Sequence, residues 1–261
     1  MRLPACILCI ALGGCGTTYA VPQASGPAPV VVAPGPVPEG RSGPRTAADF
    51  RRVAARIEPV AEQLCLEEAP GADCDLRIGL ETNPRMPPNA YQTLDSNGRP
   101  IVIVGASLLA EMQSDDEIAF VLSHEASHHI AGHIGKQQQQ QALGALVLGG
   151  LVAATGQAYG APASDDAIRQ AMDVGAFVGG RAYSQSYELE ADMLAAYITV
   201  RAGYSPERGA DIFGRPALAN PGGPAILASH PGSAQRQATV ARVTADIRRQ
   251  QAAGLTPRPG N

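Results

Sequence analysis

Tryptophan is missing from the 261-residue chain and lysine nearly so, with Lys136 alone against nineteen arginines. Both cations carry the same charge, so the imbalance reads as codon bias rather than chemistry. Cationic excess is also lacking: the net charge of −4 argues against a basic nucleic-acid binder. No run reaches about 18 uninterrupted apolar residues, which speaks against a polytopic membrane protein. Charged residues make up only 17% and hydrophobic ones 45%, which excludes a wholly disordered chain.

What is present is unevenly distributed. Met1 to Cys15 holds one cation, Arg2, a short apolar run and the series Leu12-Gly13-Gly14-Cys15. That is an export signal rather than a membrane span, and it resembles a bacterial lipobox. Residues 1–14 then read as the signal and Cys15 as the lipidated first residue of the mature protein; cleavage further on, after Ala20, is the alternative. Residues 15–45, with proline at 22, 27, 29, 34, 36, 38 and 44, read as an extended tether. One domain is expected over 46–254, with a flexible tail at 255–261. Export removes Cys6 and Cys9, lipid occupies Cys15, and Cys65 and Cys74 remain. An even remainder in an oxidising compartment predicts a disulfide, against the alternative of two buried thiols.

Thr46 reads as an N-cap for a helix carrying Phe50, Val53, Ile57 and Leu64 on one stripe, with Pro59 inside it. Leu76-Ile78-Leu80, Tyr91 to Leu94 and Ile101 to Val104 read as strands of a small antiparallel sheet. Ser114 with Glu117 forms a capping-box pattern. It opens a helix predicted from Asp115 to about Ile134, apolar all round at its start and so buried. The fold class is α+β, mainly helical.

That helix carries His124-Glu125-Ala126-Ser127-His128, an H-E-x-x-H motif. Residues four apart share a helix face, so both imidazoles reach one zinc ion, and Glu125 beside them can bind the metal's water as general base. A catalytic zinc needs a third protein ligand and an open position. Glu188 is the best candidate, with Asp192 one turn on to accept an imidazole N–H. His129 and His133 point off the ligand face and read as structural or surface residues. Glu190 reads as part of a solvated face.

At these residues the sequence resembles the HtpX-like gluzincin metallopeptidases, which include the periplasmic proteases BepA and LoiP. The likeness runs from about Asn89 to Arg236. It rests on Asn89-Ala90-Tyr91, Gly98-Arg99-Pro100-Ile101, the run Asp116 to Ser123 before the zinc motif, and His133. Glu188-Leu189-Glu190-Ala191-Asp192 and Ser229-His230-Pro231 with Arg236 complete it. The chain departs at Gln185 and Met193, where the family commonly has arginine. The resemblance implies a zincin-like domain with a buried H-E-x-x-H helix, one zinc per chain held by His124, His128 and Glu188, and peptide hydrolysis with Glu125 as base. It also implies control by His230, either as a latch on the open zinc position or as a donor to the oxyanion, for which Arg236 and Tyr187 are further candidates.

Unfolded or misassembled envelope proteins are the expected substrates, with the membrane engaged by the lipid anchor on the periplasmic side of the outer membrane and no nucleic-acid partner. The competing readings are a proteolytically inactive chaperone or assembly scaffold and a structural zinc protein. Between the two zinc helices, Ala142 to Ala154 is too short an apolar run to span a bilayer. It reads as a core-packing or groove-lining helix, followed by a Gly/Ala-rich loop to about Gly180.

Overall fold

The computed structural model describes residues 17–21, 44–181, 184–214, 230 and 234–260. Cys15, the signal before it, most of the expected tether, and Ser229 and Pro231 lie outside the described residues. Two units divide the chain: residues 135–184 form one, and 17–134 with 185–261 form the other.

In the larger unit, Thr46 and Asp49 cap each other reciprocally, and α1 runs from Ala47 to Glu68 with Pro59 inside it. Its stripe of Phe50, Val53, Ile57, Ala61 and Leu64 is buried against α3. Cys65, near the end of α1, is bonded to Cys74 in the segment before β1. β1 (Arg77–Glu81), β2 (Ala90–Leu94) and β3 (Pro100–Gly105) form one sheet in the order β1-β3-β2. β2 is antiparallel to β3 across the Asp95 to Arg99 turn, whereas β1 runs parallel to β3. The sheet is therefore mixed, not antiparallel. Eight residues separate β1 from β2, enough chain to carry β2 past β3's place to its far edge, so β3 enters between them.

α2 (Ala106–Glu111) leads to α3 (Asp115–Ile130), whose N-cap Ser114 accepts from Glu117 N. Ile118 to Leu122 are fully buried. The helix ends four residues earlier than its sequence predicts. Gly132 takes φ +68°, a conformation open to glycine, and turns the chain into α4 (His133–Ala158). α6 (Ser184–Arg201) lies with α3 at the centre, and Thr199 Oγ1 donates to Ser123 Oγ at 3.1 Å between the two buried helices. α7 (Pro206–Ala210) sits on α3, where Asp116 accepts from Ser205 N at 2.7 Å and from Arg208 Nε at 2.6 Å. A 3-10 turn (Asp211–Gly214) follows, and α8 (Ala234–Ala252) completes the unit. The expected flexible tail is held as far as Arg258, whose N–H donates to Gln250 Oε1 at 3.0 Å, while Pro257 O accepts from Arg201.

The smaller unit pairs most of α4 with α5 (Asp165–Arg181), a helix where the sequence reading expects a loop. Gly175 and Gly179, expected in a loop, and Gly144, expected in the apolar helix, are contact points. A Cβ placed on Gly144 or on Gly175 would come within 2.1 Å of the other residue's carbonyl oxygen. One on Gly179 would lie 2.2 Å from Gln140 O. The two backbones thus approach more closely than larger residues allow. α4 is not a core helix. Leu146 is 68% exposed and Phe177 of α5 61%, with Val147, Leu151, Val174 and Val178 also exposed. At 26 residues α4 is, by length and hydropathy, long and apolar enough to cross a membrane.

Candidate metal centre

The four-residue spacing of His124 and His128 on α3 brings their Nε2 atoms to 3.0 Å from each other. α6 presents Glu188 to the same point, with its carboxylate oxygens 3.3 Å from His124 Nε2 and 3.5 Å from His128 Nε2. His230 joins them: its Nδ1 is 2.9 Å from Glu188 Oε1 and 3.3 Å from His124 Nε2. The ligand atoms of these four residues all lie within 4.8 Å of one another.

Each imidazole is oriented from behind. His124 Nδ1 is 3.0 Å from Asp192 Oδ1, one turn beyond Glu188 on α6. Asp192 is itself gripped by Arg236 of α8 through two bonds of 2.6 Å, from Nε and from Nη2. The same guanidinium puts Nη1 3.1 Å from Glu188 Oε2 and lies 3.9 Å over the Phe213 ring. Arg236 is thus committed to the buried carboxylates rather than held ready for a substrate oxyanion.

His128 Nδ1 is 2.8 Å from His133 Nδ1, and His133 Nε2 is 2.9 Å from Glu190 Oε2. Two expectations are corrected here. On an uninterrupted helix His133 would point away from His128; the turn at Gly132 ends α3 and swings the ring back. Glu190 lies on no solvated face and is 0% exposed, because His133 and the N-terminal Tyr19 cover it. Tyr187 stacks on His133 with ring centroids 4.3 Å apart, so it too serves the centre's frame. His129 stays at the surface side, bonded to Asp73 O at 2.6 Å. Gln185, one of the two departures from the family pattern, pairs with Gln235 at 2.9 Å.

Burial and the Arg236 charge lower the His124 pKa, but the Asp192 and Glu188 carboxylates outweigh them and raise it to about 9. Burial, then the charge of His124, holds His128 well below its ordinary value. Glu188 lies well below the usual carboxylate range, since bonds from His124 and His230 overcome the upward push of burial.

The donor set, imidazoles with a carboxylate, matches what zinc accepts. Glu125 supplies the second test. It is 1% exposed, and its Oε1 has no hydrogen-bond partner among the described residues; His230 Nε2 lies 3.6 Å from it. A buried carboxylate oxygen left without a donor implies a water or substrate proton facing it.

Comparison with curated proteins gives no match. The profile of peptidase family M48 matches residues 47–244, from the first helix through the metal centre into α8. Peptidases of that family are zinc-dependent, and the mainly helical architecture with a small mixed sheet agrees with its zincin-like domain. With the match spanning most of the chain, the protein belongs to peptidase family M48.

Proposed function

We propose that the chain is an active zinc endopeptidase of the HtpX/BepA/LoiP branch, anchored by lipid at Cys15 on the periplasmic side of the outer membrane. Its substrates are unfolded or misassembled envelope proteins. The observation that carries the activity is Glu125 Oε1, without a hydrogen-bond partner among the described residues, beside the four converging residues His124, His128, Glu188 and His230, where a general base is needed. For the location, the lipobox-like run before Cys15, Gly16 in place of a retention aspartate, and the Cys65–Cys74 bond all suit an exported protein.

His124, His128 and Glu188 would hold the zinc, which when bound acidifies a water and polarises the scissile carbonyl. Glu125 takes the water's proton and passes it to the leaving amine. Asp192 keeps the His124 Nε2 atom free for the ion by accepting at Nδ1. His230, placed among the ligand atoms, acts as a latch that substrate displaces.

The test is proteolysis of unfolded outer-membrane protein with and without chelator, alongside metal analysis. The parent should hold one zinc per chain, and Glu125→Gln should keep the zinc while losing at least about 100-fold in rate. Undiminished cleavage by that variant would refute the mechanism. His230→Ala should raise basal proteolysis; a fall of about 100-fold instead would make the residue an oxyanion donor.

A further inference from the structure

Glu190 is a fully buried carboxylate that touches no metal-ligand atom, and such a group is tolerated only when its oxygens are well supplied with donors. One comes from His133. Another comes from far away in the sequence: Tyr19 N donates to Glu190 Oε1 at 2.6 Å. Tyr19 lies inside the stretch whose composition reads as a free tether, yet Thr17–Val21 is a seated strap. The Tyr19 ring packs on the core, its hydroxyl donates to Glu68 O at 2.8 Å, and Thr18 Oγ1 reaches Ala131 O at 3.5 Å.

The hydrogen positions along this path follow from one requirement. If His128 is to offer Nε2 to an ion as a neutral ring, its proton must sit on Nδ1. That N–H then donates to His133 Nδ1, 2.8 Å away, making that atom an acceptor. His133 must therefore carry its proton on Nε2, where Glu190 Oε2 accepts it at 2.9 Å. Glu190 is fixed in turn by the main-chain N–H of Tyr19. Both imidazole bonds point the same way, from ligand to carboxylate, and the strap's N–H donates to that carboxylate from the far side.

The geometry points to a positioning relay, Tyr19 to Glu190 to His133 to His128, by which the N-terminal strap sets the orientation and tautomer of a zinc ligand. Tyr19, Glu190 and His133 are positioning residues; none touches the reacting atoms. The relay rests on the zinc reading of the site given above.

Because the donor at residue 19 is main chain, only proline removes it. Tyr19→Ala deletes the ring and hydroxyl and keeps the N–H, so the pair separates the relay from packing. Zinc affinity would be measured on the full chain by competition with a chelating dye, and the ligand field by the absorption spectrum of the cobalt-substituted protein. Tyr19→Pro should bind zinc about 10-fold more weakly than Tyr19→Ala and shift the cobalt bands, and Glu190→Gln, which sets an amide N–H against the His133 N–H, should lose about 10- to 100-fold. If the parent binds zinc and Tyr19→Pro matches Tyr19→Ala in both readouts, the strap's part is overturned even where Glu190→Gln weakens binding. A parent that takes up no zinc overturns the reading of the site itself, and the relay with it.

Discussion

Arg236 holds both carboxylates that the histidines depend on, gripping Asp192 and standing 3.1 Å from Glu188. Removing one partner of a buried, hydrogen-bonded pair leaves the other uncompensated, at a cost of about 3–5 kcal/mol. Arg236→Met should therefore lower the unfolding temperature of the metal-free protein sharply, and calorimetry would read it. A variant as stable as the parent would mean that His124 alone satisfies Asp192. The same pair sets an acid limit. Burial pushes the Asp192 carboxyl up, but the charge of Arg236 and its bonds, with that of His124, hold it below its ordinary value. A folded value under the unfolded one means that ionised Asp192 stabilises the fold above the ordinary carboxylate range. That contribution fades as pH falls through the folded value, so Asp192 adds its loss only in acid, beneath the earlier decline that the depressed His128 causes once pH drops below the ordinary imidazole range, and denaturant midpoints of the metal-free protein should fall in that order.

At the scale of elements, the close passages are the vulnerable ones. α7 meets α3 at Gly209, where an added Cβ would lie 2.4 Å from Phe120 Cβ and 2.5 Å from Asp116 O. Gly209→Ala should cost about 1–3 kcal/mol by denaturant titration, since one neighbour is backbone and cannot give way. Reducing the Cys65–Cys74 bond frees a segment of nine residues' separation between α1 and β1 and should cost roughly 2–3 kcal/mol. Unchanged stability in dithiothreitol would contradict that. These elements also separate what can be read from sequence from what cannot. His124 with His128 and Glu188 with Asp192 repeat the four-residue period of a helix, so each pair declares its own shared face. His133 does not, because its direction depends on the backbone angle at Gly132. Nor does Glu190, whose cover arrives from Tyr19, 171 residues away. α5 is hidden by its glycines, which serve as easily for a backbone-to-backbone passage as for a loop. Strand direction in β1 follows from β3 entering between its predecessors, which no residue pattern records.

Over the whole molecule, the proposed anchor and the seated strap act together. Cys15→Ser should move the protein from the membrane fraction to the soluble one, and continued sedimentation with membranes would point instead to the exposed apolar faces of α4 and α5. With lipid on Cys15, the distance that matters is the four residues to Tyr19, at most about 14 Å of chain. A tether free as far as Pro44 would reach about 100 Å. Under the proposed anchoring the domain would therefore be on a short leash. Its capture zone would then be a thin layer above the bilayer, and its search lateral. Substrates would be met by sliding along the membrane beside them, and a chain drifting in the depth of the compartment would pass out of reach.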